Sequence, residues 1–187
     1  MGTLTYTATV SVDGYAADAD GDFQWSGPSD AVFAVHVARI AGVSTEVLGR
    51  KTFGMMQYWE NFPGDAAATA DEMEFARLWR GIDKVVVSST LTEKDLGGCR
   101  ARLVPELSLA GLRQIVDDAA GVVEIFGPTV AAEAIRAGMV EDFNFFVVPK
   151  AVGGGLRALP EEVRLDLRLV EHETFDNGTA YLHYRPR

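Results

Sequence analysis

Residues 122–149 read VVEIFGPTVAAEAIRAGMVEDFNFFVVP. The apolar run Val122–Phe126 has the length and β-branched content of a buried strand. Gly127-Pro128 breaks it, and Pro128 suits the first turn of a helix. That helix closes at Gly138, and residues 142–149 form a second apolar strand. Strand, helix and strand in this order make a crossover unit with parallel strands.

The pattern repeats upstream. Residues 45–49 (TEVLG) read as a short buried strand, followed by a helix opening near Lys51. Residues 69–80 form a helix ending at Gly81, and Ile82–Ser88 a strong buried strand. Residues 109–119 make an amphipathic helix with Ser108 as its cap. Residues 4–12 read as the first strand, 14–28 as a loop, and 30–41 as a helix capped by Ser29. The segment 57–66 reads as irregular. At the far end, Asp176-Asn177-Gly178 between two alternating runs signals an antiparallel hairpin. The expectation is a single α/β domain over 1–187. Its central sheet is mixed but mostly parallel, with helices on both faces and an antiparallel C-terminal hairpin.

Composition agrees. The chain has 187 residues, 48% hydrophobic and 24% charged, an ordinary globular balance. Lys plus Arg is 17 against 27 Asp plus Glu, a net −10. Such a surface repels phosphate backbones, so no nucleic-acid partner is expected. The single cysteine, Cys99, forms no internal disulfide, no apolar run is long enough to span a membrane, and no secretory signal opens the chain. A cytoplasmic protein without a membrane partner is expected.

Three strand ends carry ligand chemistry. Gly49-Arg50-Lys51-Thr52 follows one strand and opens a helix, whose N-terminus offers free N–H groups and a positive dipole end. It is a phosphate site or a solvated basic turn. Ser88-Ser89-Thr90 sets hydroxyls just past the next strand, where they bind a ligand or cap the loop. Phe126-Gly127-Pro128-Thr129 is a second cradle, or punctuation.

Residues 10–16 (VSVDGYA), 48–53 (LGRKTF), 85–89 (VVVSS) and 126–155 together resemble the dihydrofolate reductase superfamily. The nearest branch is the reductase domain of bacterial riboflavin-biosynthesis deaminase-reductases. The ordered series S-x-D-G, G-R-K-T, S-S and the late R-A-G-x-V…V-P…G-G-G spans nearly the whole chain. With no H-x-E, no C-x-x-C and one cysteine, the zinc deaminase half is not expected here.

The resemblance implies a dihydrofolate-reductase-like three-layer sandwich that binds NADPH and passes hydride to a small heterocycle. The first candidate substrate is 5-amino-6-(5-phosphoribosylamino)uracil, the second a dihydropterin. It assigns Arg50, Ser88 and Ser89 to the adenosine 2′-phosphate, and Gly49, Lys51 and Thr52 to the pyrophosphate side. Gly127, Pro128, Thr129 and Val130 map to the glycine-rich turn. The family has Gly-Gly there, often joined by a cis peptide. Proline makes cis cheap, so a cis Gly127–Pro128 bond is expected.

On the substrate side, the resemblance sets Asp13 close to the nicotinamide. Trp25 and Asp30 reproduce the family's spacing of a loop tryptophan and an acid five residues later. Asp30 would assist protonation if burial raises its pKa. Otherwise it stabilises a helix start. Tyr58, with Trp59 and Phe62, walls a pocket or packs in the core or a dimer. Gly154 lies in a flexible loop, and Arg157 binds a substrate phosphate or is merely exposed. Asp18, Asp20 and Asp22 lack calcium-loop spacing, and no metal site is expected. Phe143–Phe146 supports a homodimer, as in the riboflavin branch, or is a central strand. The rival from another class is a non-catalytic dinucleotide-binding module on the same fold.

Overall fold

The computed structural model describes residues 2–187. Its strands are β1 (Leu4–Ser11), β2 (Tyr15–Ala17), β3 (Val43–Gly49), β4 (Asp83–Val87), β5 (Ala101–Val104), β6 (Val122–Phe126), β7 (Asp142–Val148), β8 (Leu156–Arg157), β9 (Leu167–Thr174) and β10 (Ala180–Pro186). The α-helices are α1 (Asp30–Ile40), α2 (Arg50–Glu60), α3 (Ala70–Gly81), α4 (Leu109–Asp118) and α5 (Pro128–Arg136).

Eight strands form one sheet in the order β5-β4-β3-β6-β1-β7-β10-β9. Every pair from β5 to β7 is parallel, whereas β10 runs antiparallel to both β7 and β9. The hairpin sits where Asp176-Asn177-Gly178 foretold it, with Gly178 at φ 81°. A second, two-stranded sheet pairs β2 with β8.

Each face of the large sheet buries its own apolar cluster. Leu4, Tyr6, Ala8 and Val10 of β1 meet Leu112 and Ile115 of α4 and Ala131 and Ile135 of α5. On the other face, Leu48 and Val86 pack with Phe53, Met56, Phe75 and Trp79 of α2 and α3. Val32 of α1 joins Phe146 and Tyr181 there. Helices therefore cover both faces, the three-layer arrangement expected.

The second face also buries charge. Lys84, Glu46, Glu124, Thr5 and Asp142 lie opposite one another across five strands. Glu124 is paired with Arg39 at 3.0 Å. The Lys84 ammonium donates to the carbonyls of Trp79 (2.7 Å) and Ile82 (3.0 Å). Burial, reinforced by the Glu124 charge, pushes the Glu46 carboxyl well above the usual carboxylate range.

Several expectations need correction. Ala101–Val104 is a strand, β5, too short between turn residues to stand out by pattern. α2 runs on to Glu60, so only 61–66 of the irregular segment is irregular. The loop 14–28 contains β2 and a 3-10 turn at Gln24–Ser26. Ser29 holds the N-cap position of α1 but its side chain makes no capping bond. Phe143–Phe146 is a buried interior strand, fully flanked by β1 and β10, so it cannot be a dimer surface.

Candidate functional site

The C-terminal edge of the parallel strands is stepped. Leu48 of β3 and Thr7 of β1 both lie level with Phe126 of β6, and Gly49 is level with Val87 of β4. β4, β3 and β6 stop here. β1 continues for four residues to Ser11, paired with β7 up to Val148. At about 3.3 Å per residue this raises a wall about 13 Å above the floor.

Two helices start on that floor. α2 follows Gly49 directly, and α5 follows Gly127 directly. Neither N-terminus is capped by a side chain. Their first turns adjoin: a Cβ on Gly49 would lie 3.9 Å from Val130 Cβ. Gly127 is buried at φ 115°, and a Cβ there would come 2.7 Å from Thr52 Oγ1. Arg50 and Lys51 are exposed beside this junction. Two positive dipole ends, a close-approach glycine, a hydroxyl and two cations make a site for a bulky phosphate ester.

The expected cis bond is absent, because Gly127–Pro128 is trans. The chain turns instead through the positive φ of Gly127, which glycine reaches without a Cβ penalty. Pro128 occupies the first helical position, where its missing N–H costs nothing. The amides available at this end are therefore those of Thr129 and Val130. Ser88 also serves its own loop. Its hydroxyl accepts from the Thr90 (3.2 Å) and Leu91 (3.1 Å) amides, so it caps the turn. Ser89 remains exposed.

Beyond the wall, the Asp13 carboxylate accepts from the Gly153 amide at 2.7 Å and the Val152 amide at 3.2 Å. Hydrogen bonds from Ser11 and from these amides hold it below the usual carboxylate range. Asp13 is thus a tether for the triple-glycine loop that contains Gly154. The same loop is pinned by Tyr6 Oη donating to the Ala158 carbonyl (2.6 Å) and by Ala158 N–H donating to Gly14 (3.0 Å). Gly155, at φ 127°, passes so close to β2 that a Cβ would lie 2.2 Å from the Ala17 carbonyl oxygen. Arg157 is exposed, with its guanidinium 5.0 Å from the Tyr15 ring centroid.

Trp25 is held by its indole N–H, which donates to the Asp22 carbonyl at 2.9 Å. Its loop is shaped by Asp18, whose carboxylate accepts from the Asp20 and Asp22 amides. Asp30 is the first residue of α1 and is exposed, so the chain itself does not supply the burial an acid role requires. Tyr58 packs edge-on against Trp59, and Trp59 stacks on Phe33, one turn after Asp30. Phe33 of α1 thus meets Trp59 of α2, and Tyr58 stands exposed beside that contact.

Sequence reasoning missed Tyr6 and Tyr15, which hold the 153–158 loop in place. Only the closeness of Tyr15 to Asp13 signalled one of them. A surface hollow of about 610 Å³ lies at the opposite end, beside Ser44, Asp83 and Arg100, and includes none of the expected site residues.

No curated protein matches the chain. A putative riboflavin biosynthesis protein from Shewanella sp. PV-4 superposes with a TM-score of 0.75 at 21% identity, over 99% of each chain. The deaminase/5-amino-6-(5-phosphoribosylamino)uracil reductase of Thermotoga maritima does so with 0.67 at 17% identity. All of this chain matches 57% of that one. Dihydrofolate reductase from Enterococcus faecalis, complexed with NADP(H), gives 0.61 at 15% identity over 99% of this chain and 96% of that one. These likenesses establish the dihydrofolate-reductase-like fold. The family model of the RibD C-terminal domain matches residues 2–104 and 102–181, so the chain belongs to the RibD C-terminal domain family.

Proposed function

We propose that this chain is a cytoplasmic, NADPH-dependent reductase of the riboflavin-biosynthesis type that reduces a small flat heterocycle. The observation that carries the reading is the junction of α2 and α5, where Gly49 approaches Val130 and Gly127 packs against Thr52 with no space for a Cβ. The amides of the two first turns, Thr52 Oγ1 and the Lys51 charge suit a pyrophosphate. Arg50 and Ser89, at the outer end, suit the 2′-phosphate. A dinucleotide lying along the step from Arg50 would bring its nicotinamide to the wall of β1 and β7. When bound it supplies the hydride; the chain's residues orient it and hold the acceptor against it. The ribosylamino-pyrimidine named for the Thermotoga relative and a dihydropterin are both candidate acceptors.

The exposure of Asp30 favours a second reading, a dinucleotide-binding module that performs no chemistry. The exposed outer strand β9, with Leu169 and Val170 bare, supports a homodimer formed edge to edge. Sedimentation at two concentrations tests that part.

Titration with NADPH and NADH, followed by nicotinamide fluorescence, tests the main reading. Saturable binding that prefers NADPH supports it. Absence of binding to either removes it. Binding without oxidation of NADPH by any pterin or pyrimidine acceptor selects the module instead.

A further inference from the structure

One polar pair serves neither the fold nor the dinucleotide cradle. β1 sends Leu4, Tyr6, Ala8 and Val10 into the first apolar cluster, so Thr5, Thr7, Thr9 and Ser11 face the α1 side. Thr5, Thr7 and Ser11 are buried, whereas Thr9 is only half-buried. Its height accounts for the difference. β6 stops at Phe126, level with Thr7. Thr9 stands two residues higher, on the wall, where the β6 side of β1 is open. Its hydroxyl therefore borders the groove along the step.

His36 reaches the same place from α1. Val32, one turn earlier, packs with Phe146 and Tyr181, and Arg39, nearly one turn later, donates to Thr7 Oγ1 and Glu124. His36 lies between them on the stripe that faces the sheet. Its ring covers Phe146, with centroids 4.1 Å apart and planes tilted by 32°. Phe146 is the register partner of Thr9, so the imidazole and the hydroxyl adjoin the same phenylalanine. The polar neighbours below are engaged: Thr7 receives Arg39, and Asn144 receives the Tyr181 hydroxyl at 2.8 Å. Among the described residues, neither the Thr9 hydroxyl nor the half-buried His36 ring makes a side-chain hydrogen bond. Burial, helped by the Arg39 charge, pushes the His36 pKa down to about 3. The ring is therefore neutral, with one nitrogen to donate and one to accept.

We infer that Thr9 and His36 bind the ring edge of the acceptor, and that this edge sets an N–H beside a C=O, as a lactam does. The inference rests on the reductase reading above and narrows it. A half-buried polar group without a partner forfeits hydrogen bonding that a ligand can restore. A hydroxyl and a neutral imidazole each donate and accept, so together they match an edge that offers one donor and one acceptor. Both are uncharged, which suits a neutral ring better than an ionised one. Phe33 and Phe126, half-buried at the margin of the second apolar cluster, offer flat apolar surface for such a ring.

The test titrates 5-amino-6-(5-phosphoribosylamino)uracil and 7,8-dihydrofolate into the protein saturated with NADP+, which permits binding without turnover. Quenching of tryptophan emission is the readout. Thr9→Val keeps the shape and removes the hydroxyl; His36→Phe keeps a flat ring and removes the nitrogens. Each should weaken the acceptor that binds by about tenfold, with NADP+ affinity and melting temperature unchanged. Thr9→Ser and His36→Gln, which keep hydrogen-bonding groups, should recover most of that loss. Methylation of the lactam nitrogen of the acceptor should weaken its binding to the parent by about tenfold, and have little effect on the Thr9→Val, His36→Phe double variant. Unchanged acceptor affinity in either single variant, a parallel loss of NADP+ affinity, or binding of neither acceptor to the parent overturns the inference. Failure to bind NADPH in the earlier titration is separate and defeats the reductase reading itself.

Discussion

A side chain on residue 127 would run into Thr52: a Cβ built on Gly127 lies 2.7 Å from the Thr52 hydroxyl oxygen, and 3.7 Å from its Cβ. The positive φ of Gly127 adds strain of about 1–3 kcal/mol for any residue with a Cβ. Gly127→Ala should lower the melting temperature and weaken NADPH binding by about tenfold, or about 1.4 kcal/mol. Adding Thr52→Ala relieves the contact but not the strained φ, so the double variant should recover stability in part. Thermal unfolding and the nicotinamide titration read the two effects separately.

Arg50 tests which end of the step takes the adenosine. It is exposed at the first position of α2, and Lys51 and Thr52 remain beside it when it is removed. Arg50→Ala should cost NADPH about tenfold in affinity through a lost charge-assisted contact, and leave NADH nearly unchanged. Equal losses for both cofactors would move the 2′-phosphate away from Arg50.

Asp13 separates a tether from a catalyst. Its carboxylate receives the Gly153 and Val152 amides, and removing it frees the triple-glycine loop. Asp13→Ala should raise hydrogen exchange and proteolysis across 150–157, and raise KM more than it lowers kcat. A loss confined to kcat, with the loop still protected, would return Asp13 to the chemistry. The sign of its pH effect follows from its depressed pKa. Loop protection in the parent should be present above pH 4 and fade as pH falls through the lower folded value.

Much of this was legible in the chain and some was not, for physical reasons. Parallel strands buried on both faces read as apolar runs, which is why Val122–Phe126 and Asp142–Val148 stood out. β5 did not, because four residues between Gly98 and Pro105 carry no period. The turn at Gly127 was legible as a special backbone position, but not its conformation. Pro128 suits the first helical turn with either peptide isomer, and residue type alone does not choose between them. Ser88 and Asp13 were legible as polar groups at strand ends. Whether such a group faces a ligand or its own backbone depends on loop geometry that residue type does not determine. Arg157 was found, but not its engagement with Tyr15, 142 positions away.

The buried charges that share a sheet face with Leu48 and Val86 were invisible in the same sense, since Glu46 and Glu124 sit in strands that otherwise read as core. Register alone sets them side by side. Glu124 has Arg39 of α1 as a partner; Glu46, facing Glu124 and Lys84, is fully buried with its Oε2 unpartnered. Burial and the neighbouring Glu124 charge keep the Glu46 proton on in the folded state. The unfolded chain releases that proton near pH 4.5, its ordinary value. The stabilisation is thus complete below pH 4.5. Above it, stability falls by about 1.4 kcal/mol per pH unit until the folded group itself ionises. Glu46→Gln keeps the shape of the protonated acid and removes the titration. It should match the parent at pH 4, exceed it in stability at pH 7, and show a flatter dependence on pH between the two. Urea unfolding at a series of pH values measures this, and parallel curves for the two proteins would mean that Glu46 is ionised in the fold.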